Sequence, residues 1–143
     1  MNEELAVIIA IDISASPEKV WDALTNPEKI KIYLFGTETV TDWKVGSPII
    51  FQGEYQGRNY KDKGTIKEII SGQLLQYDYW SGFSGLEDKP ENYSLVTFQI
   101  YFNNNKTNLT LRQQGFVSEQ TKQHSEMAWT QILKTIKEIT EKD

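Results

Sequence analysis

The sequence predicts an α+β domain in which a curved antiparallel sheet of six to seven strands wraps around a long C-terminal helix. Three observations predict it: a helix-start signal that occurs twice after the first strand, a series of β-rich segments joined by turn residues, and a change to helical periodicity after Ser118. Because the sheet has one apolar face and the helix one apolar stripe, each must cover the other. We expect a single domain over residues 1–143.

The first strand, predicted over residues 5–13, is followed by two short helices. Ser-Pro-Glu at residues 16–18 and Asn-Pro-Glu at residues 26–28 each place a capping side chain before a proline and a carboxylate. The cap accepts a hydrogen bond from a free N–H group, proline suits the first helical position, and the carboxylate suits the positive end of the helix dipole. Helices are therefore predicted over residues 17–24 and 27–33.

The middle of the chain predicts an antiparallel meander. Apolar residues alternate with polar ones, and glycine or asparagine occupies the turns at residues 71–73 and 103–105. In the last pair of strands, Phe98 and Ile100 share one face and Leu109 and Leu111 lie opposite them. The predicted strands cover residues 37–41, 49–54, 63–70, 74–81, 93–102 and 106–116.

After Ser118 the apolar residues follow a helical period. They fall within an arc of about 140° on a helical projection, and the opposite side carries lysine, glutamine and glutamate. A helix of about 20 residues with one apolar stripe is long enough to cross a small domain. The stripe consists of Ala128, Trp129, Ile132, Leu133, Ile136 and Ile139.

These motifs resemble the activator of heat-shock-protein-90 ATPase homologue family, which belongs to the START and birch-pollen-allergen-like (SRPBCC) superfamily. Residues 16–28 follow that family's opening motif, and residues 43–46, Gly64 and residues 75–77 match its tryptophan–glycine turn, glycine-started strand and aromatic strand. Gly115-Phe116 and the series His124, Trp129, Leu133 match its closing strand and helix. The resemblance implies the helix-grip fold, which encloses a cavity between sheet and helix.

Two positions depart from the family pattern. Ala128 stands where the family often has glycine before the helix tryptophan, and Tyr33-Leu34-Phe35 stands where a tryptophan is common. The shape of the pocket is therefore individual to this chain, and no ligand is carried over from the family.

Composition and charge exclude several classes of function. The chain has no cysteine, and its net charge of −5 repels a nucleic-acid backbone. It contains no run of apolar residues long enough to cross a bilayer, and its first residues lack the basic region of a signal peptide. We expect a cytoplasmic location, no nucleic-acid partner and no stable membrane insertion.

No set of residues forms a catalytic motif or a metal site. His124 is the only histidine, and it is placed where it either faces the cavity or lies along the surface. One histidine without cysteine does not make a transition-metal site, and no Gly-x-Ser-x-Gly nucleophile motif occurs. The sequence predicts neither a metal nor another cofactor, and it does not favour an enzyme.

Aromatic residues, 12% of the chain, are the positive signal for a binding cavity. Tyrosine and tryptophan combine an apolar body with a polar tip, which suits an amphipathic ligand, although the same residues also serve as ordinary core. Arg58 is a candidate charged anchor at the cavity mouth. The candidate cavity residues are Phe51, Tyr60, Tyr77, Tyr79, Phe98, Phe102, Phe116, His124, Trp129 and Leu133.

Three functional hypotheses follow. The first is a non-enzymatic module that binds a hydrophobic or amphipathic small molecule, lipid-like or polyketide-like, between the sheet and the C-terminal helix. The second, which rests on the resemblance, is an interaction protein that modulates a chaperone or another protein partner through an exposed apolar patch including Met127. The third is a cyclase-like or hydrolase-like enzyme in which His124 or a cavity tyrosine such as Tyr77 moves protons.

Overall fold

The computed structural model describes residues 5–82 and 84–142, so residues 1–4, 83 and 143 of the predicted domain lie outside the described part. It has the predicted α+β architecture, the helix-grip fold: one curved sheet, two short helices after the first strand and a long C-terminal helix. The elements are β1 (Ala6–Ile13), α1 (Pro17–Thr25), α2 (Pro27–Tyr33), β2 (Glu38–Val40), β3 (Pro48–Tyr55), β4 (Arg58–Ile70), β5 (Leu74–Tyr79), β6 (Ser94–Asn103), β7 (Lys106–Gln114) and α3 (Glu119–Lys142).

The sheet has seven antiparallel strands in the order β1-β7-β6-β5-β4-β3-β2. The strands from β2 to β7 follow one another as a meander, and β1 pairs with β7. The first and last strands of the chain are therefore neighbours. Because α3 directly follows β7, it begins beside this pair and packs back across the sheet against β1.

Both predicted helix starts are confirmed. Ser16 accepts a hydrogen bond from the Lys19 backbone N–H at 3.3 Å, and Asn26 Oδ1 accepts one from the Glu28 N–H at 3.0 Å. Each is followed by proline in the first turn. The Tyr33 hydroxyl donates to the Ala23 carbonyl at 2.9 Å, which ties the end of α2 to α1.

The β3–β4 hairpin is longer than predicted. β4 begins at Arg58 rather than at residue 63, because Gln56 and Gly57 form a two-residue turn with φ of +51° and +79°. Residues 58–62 lack the apolar alternation on which the prediction relied. The extra pairing extends the hairpin beyond the core and brings Tyr60 and Asp62 onto the concave face.

Gly64 lets β4 and β5 approach closely. A Cβ atom built there would lie 1.7 Å from the backbone oxygen of Asp78, so no larger residue fits without moving a strand. The Asp78 side chain accepts a hydrogen bond from the Thr65 N–H at 2.7 Å. This contact fixes the part of the sheet from which Asp62 and Tyr79 project.

The core lies between the concave face of the sheet and the C-terminal half of α3. Leu133 and Ile136 of the helix are buried, as are Val7 of β1 and Leu109 and Leu111 of β7. All five are branched aliphatic residues that pack densely. They belong to a continuous cluster of buried residues that also includes side chains of α1 and α2.

Candidate functional site

A cavity of about 440 Å³ lies between the N-terminal half of α3 and the concave face of the sheet. Strands β3 to β7, the segment after α2 and one side of α3 contribute its walls. Its volume is within the range of about 300–1,000 Å³ that is typical of small-molecule sites. The lining residues are Leu34, Phe35, Thr37, Phe51, Glu54, Tyr55, Tyr60, Asp62, Tyr77, Tyr79, Val96, Gln113, Ser125, Ala128, Trp129 and Ile132.

Aromatic rings form much of the cavity wall, because alternation along each strand turns them to the concave face. The Phe51 ring centroid lies 5.6 Å from that of Tyr77 and 6.0 Å from that of Tyr79. On the opposite wall, Trp129 stands edge-on to Phe98 with centroids 5.6 Å apart. Such tilted and edge-to-face pairs are favourable arrangements and hold the rings in fixed orientations.

Two hydrogen-bonded pairs mark the β3–β4 side of the cavity. The hydroxyls of Tyr60 and Thr37 lie 2.5 Å apart, and the Tyr79 hydroxyl donates to Asp62 Oδ2 at 2.6 Å. Asp62 Oδ1 is buried and has no hydrogen-bond partner among the described residues. The carboxylate of Asp62 therefore has unused capacity to accept a hydrogen bond.

Gln113 of β7 connects α3 to the sheet. Its Oε1 accepts hydrogen bonds from Trp129 Nε1 and from the Ser125 hydroxyl, both at 2.7 Å, and its Nε2 donates to the Ser94 hydroxyl at 2.8 Å. A buried amide that is satisfied in this way fixes the groups bonded to it. Gln113 thereby sets the position of the Trp129 ring against the cavity.

Burial controls the chemistry of the cavity phenols. It raises the pKa of Tyr77 far above the usual value of 10.0, and it does the same for Tyr79, where the nearby Asp62 carboxylate adds to the effect. Both phenols are therefore protonated at neutral pH, and that of Tyr79 donates its hydrogen bond to Asp62. The described lining residues include no histidine, lysine or arginine.

The structure brings half of the predicted cavity residues together. Phe51, Tyr60, Tyr77, Tyr79 and Trp129 line the cavity. Phe98 lies behind Trp129, and Phe116 and Leu133 are buried in the core without reaching the main cavity.

One predicted orientation is wrong, and at His124, where the sequence left two orientations open, the structure has the surface one. Phe102 does not turn into the cavity: it is 58% exposed, because β6 there runs past the core to its hairpin with β7. His124 is also exposed and is absent from the described lining, because it lies about 140° around α3 from Trp129 at 100° per residue. Arg58, the candidate anchor, is exposed at the start of β4 and outside the described lining.

Sequence reasoning missed the polar residues that organise the cavity. Asp62 and Gln113 both occupy inward-facing strand positions. Gln113 follows the buried Leu109 and Leu111 at intervals of two residues, and Asp62 lies opposite the buried Phe51. That period was a usable signal for Gln113. For Asp62 no such signal existed, because the sequence did not show that β4 begins before residue 63.

A family model described as "Activator of Hsp90 ATPase homolog 1-like protein" matches residues 14–141. The match begins directly after β1 and includes α1, α2, the strands β2 to β7 and all of α3 except its last residue. The chain belongs to this family. The resemblance in the opening motif, the closing strand and the C-terminal helix is thereby confirmed.

Solved structures agree with this membership. ChR145 from Cytophaga hutchinsonii is 40% identical, with 99% of this chain and 97% of that one covered and a TM-score of 0.85. The Aha1 dimer from Colwellia psychrerythraea is 19% identical, with 95% and 96% covered and a TM-score of 0.74. PFC0360w, an HSP90 activator from Plasmodium falciparum, is 20% identical, with 94% of both chains covered and a TM-score of 0.71. The last two show the fold alone. No curated protein matches the chain.

Metal-binding clusters and membrane-spanning helices are both absent from the described residues. Within residues 5–82 and 84–142, no three histidine, cysteine, aspartate or glutamate side chains form a group that could hold a metal ion. No helix in that part of the chain has the length and hydropathy needed to cross a bilayer. The cavity of about 440 Å³ is the candidate functional site.

Proposed function

We propose that the chain is a non-enzymatic binding module that holds a hydrophobic or amphipathic small molecule between the sheet and the N-terminal half of α3. The observation that carries the proposal is the cavity of about 440 Å³, with its aromatic walls and few polar groups. Such a cavity has apolar surface for the body of a ligand and fixed polar groups that orient it. The family membership supports a binding module of this general kind.

The entrance supports the same proposal. Phe35 and Tyr55 line the cavity although both are largely exposed. Phe35 has a φ of +55° and is followed by Gly36 with a φ of +90°, so the backbone turns sharply beside the opening. An exposed phenylalanine in this conformation provides apolar surface where a ligand would enter.

The test is whether the cavity takes up an apolar probe. We expect N-phenyl-1-naphthylamine, a neutral fluorescent dye, to bind with a rise in its emission, and native mass spectrometry of protein purified without detergent to show a bound mass. Ala128→Trp places a large ring at the cavity wall and should weaken dye binding at least about tenfold, as expected when a ligand loses its space. No dye binding and no bound mass would overturn the proposal.

Met127→Trp is the matched control for that variant. It adds the same ring one residue away on α3, where Met127 is 73% exposed and outside the cavity lining. Dye affinity should be unchanged. If both variants weaken dye binding equally, the dye binds the helix surface rather than the cavity, and the proposal loses its support.

A second candidate is an interaction with a protein partner such as a chaperone. The observation that favours it is exposed apolar side chains: Phe35 is 80% and Met127 73% exposed. The family description supports the ATPase of Hsp90 as the activity to measure. Under this hypothesis the chain raises the ATPase rate of the host chaperone, and Met127→Glu lowers the effect. An unchanged rate would remove this candidate.

A further inference from the structure

The charged groups in the cavity wall are all of one sign. Glu54 and Asp62 line the cavity, and the described lining contains no cationic side chain. Glu54 lies near the end of the β3–β4 hairpin and is exposed, whereas Asp62 lies further along β4 towards the core. A ligand that enters the cavity therefore meets aromatic rings and negative charge.

Asp62 is the polar group with unused capacity. It lies opposite Phe51 in the β3–β4 pairing, and the Tyr79 hydroxyl occupies its Oδ2 at 2.6 Å. Its Oδ1 is buried without a partner among the described residues. Burying a carboxylate oxygen without a donor costs free energy, so a ligand that brings a hydrogen-bond donor removes that cost.

Aromatic rings surround this carboxylate. Phe51, Tyr60 and Tyr79 line the same part of the cavity. The face of an aromatic ring carries partial negative charge and attracts a cation. Phe51 lies opposite Asp62 in the β3–β4 pairing, and the Tyr79 ring is held beside Asp62 by its hydroxyl, with the two ring centroids 6.0 Å apart. Carboxylate and rings together favour a positively charged ligand group.

The two lysines that flank Asp62 project away from the cavity. Lys61 and Lys63 alternate with Asp62 and so project from the other face of β4. Lys63 pairs with Asp88 there, and its Nζ lies 5.8 Å from the Trp80 ring centroid. Arg58 has the same parity as Asp62 but is exposed at the start of β4 and outside the described lining.

We propose that the cavity selects a ligand in which a protonated amine is attached to an apolar or aromatic body, with the amine bound by Asp62 and the body held among the rings. This inference rests on the proposed function and specifies its ligand class. A fatty-acid-type anion would bring a second negative charge beside the Asp62 carboxylate, and it would bind worse than a neutral molecule of the same shape.

Three probes that differ only in their polar end test the inference: 4-phenylbutylamine, 4-phenylbutan-1-ol and 4-phenylbutyrate. Their affinities are measured by calorimetry at pH 7. We expect the amine to bind about tenfold more tightly than the alcohol, because a hydrogen bond between charged groups is stronger than a neutral one. The carboxylate should bind most weakly of the three.

The variant Asp62→Asn tests the role assigned to the carboxylate. Asparagine has nearly the same shape and still accepts a hydrogen bond from Tyr79, but it carries no charge. The preference for the amine over the alcohol should disappear, while the affinity for the alcohol changes little. Asp12→Asn is the control: Asp12 is exposed on β1, so the same change in net charge should leave the preference intact.

The outcomes separate the inference from the proposed function. If the alcohol binds and the amine binds no more tightly, or if Asp62→Asn keeps the preference, the ligand class is wrong while the binding function stands. If none of the three probes binds, both are overturned.

Discussion

The two halves of α3 meet the sheet in different ways. The C-terminal half places Leu133 and Ile136 in a closely packed core, where each side chain is almost completely buried. The N-terminal half places Ser125, Ala128 and Trp129 along a cavity of about 440 Å³, which ends at Ile132, just past the middle of the helix. One helix therefore forms a solid contact at one end and a wall of an open space at the other.

The difference follows from the types of side chain at each end. Branched aliphatic groups have no polar atoms to satisfy, so they approach until they interdigitate. The rings at the other end have polar tips that are held by partners: Trp129 by Gln113, and Tyr79 by Asp62. Closing the space would break these hydrogen bonds, each of which contributes on the order of 1 kcal/mol. Polar anchoring thus preserves the cavity.

The largest effect is expected from truncating the two isoleucines on either side of this boundary. Ile136 is 0% exposed and Ile132 is 7% exposed, where it borders the cavity. Ile136→Ala should lower the free energy of unfolding by about 4 kcal/mol and Ile132→Ala by about 2 kcal/mol, because Ile132 has fewer packed neighbours to lose. Urea denaturation of both variants measures the difference.

The matched chemistry of the two substitutions makes the result decisive. Equal losses would mean that the space beside Ile132 is filled in solution. A larger loss at Ile132 than at Ile136 would reverse the comparison between the two halves.

Trp129 is expected to show an intermediate effect. Trp129→Ala should cost about 3 kcal/mol, the low end for a buried tryptophan, because one side of the ring already faces the cavity. Trp129→Phe should cost about 1 kcal/mol, the hydrogen bond to Gln113. These losses are read from chemical denaturation followed by far-ultraviolet circular dichroism.

Trp80 supplies the control for Trp129. Its indole N–H donates to the Leu86 carbonyl at 3.2 Å outside the core, so Trp80→Ala should cost no more than about 1 kcal/mol. Equal small losses at both tryptophans would show that the N-terminal half of α3 is not held against the sheet.

The last expected effect is absent at neutral pH and appears only in alkali. Burial raises the pKa of Tyr77 and Tyr79 above 10.0 in the folded protein, whereas both ionise near that value in the unfolded chain. As pH rises above 10.0, the unfolded state loses protons that the folded state keeps. The free energy of unfolding should therefore fall by about 1.4 kcal/mol per pH unit for each buried tyrosine.

Tyr77→Phe tests this dependence. Above pH 10 the free energy of unfolding of the variant should fall less steeply than that of the parent protein, by about 1.4 kcal/mol per pH unit. Between pH 7 and 8 the two slopes should be the same. Identical slopes in the alkaline range would mean that the Tyr77 phenol is solvated rather than buried.

The sequence predicted the helices, the strand order and the packed core well. The two capped helices, the meander and the stripe of α3 depend on local capping chemistry and hydrophobic period, which are written in consecutive residues. Leu133 and Ile136 lie where the helical period places them. The strand boundaries were less accurate at β4, whose polar first residues gave no alternation.

The residues that line the cavity were predicted only in part. Period two placed Tyr77 and Tyr79 on the inward face, but the same rule failed at Phe102, because a strand continues to alternate beyond the edge of the core. The helical period alone did not decide whether His124 faces the cavity or lies along the surface. Asp62 depends on where the β3–β4 hairpin turns, and its pairing with Tyr79 depends on tertiary contact, which no local pattern encodes.

The most direct test of the comparison is a two-dimensional NMR titration with 4-phenylbutan-1-ol, a neutral probe. We predict saturable shifts of the Trp129 indole N–H and the Gln113 side-chain amide, with the methyl groups of Ile136 unaffected. That result would show that one half of the interface accepts a guest and the other does not. Shifts at Ile136 as large as those at Trp129, or none at either, would contradict the division of α3 into a packed half and a binding half.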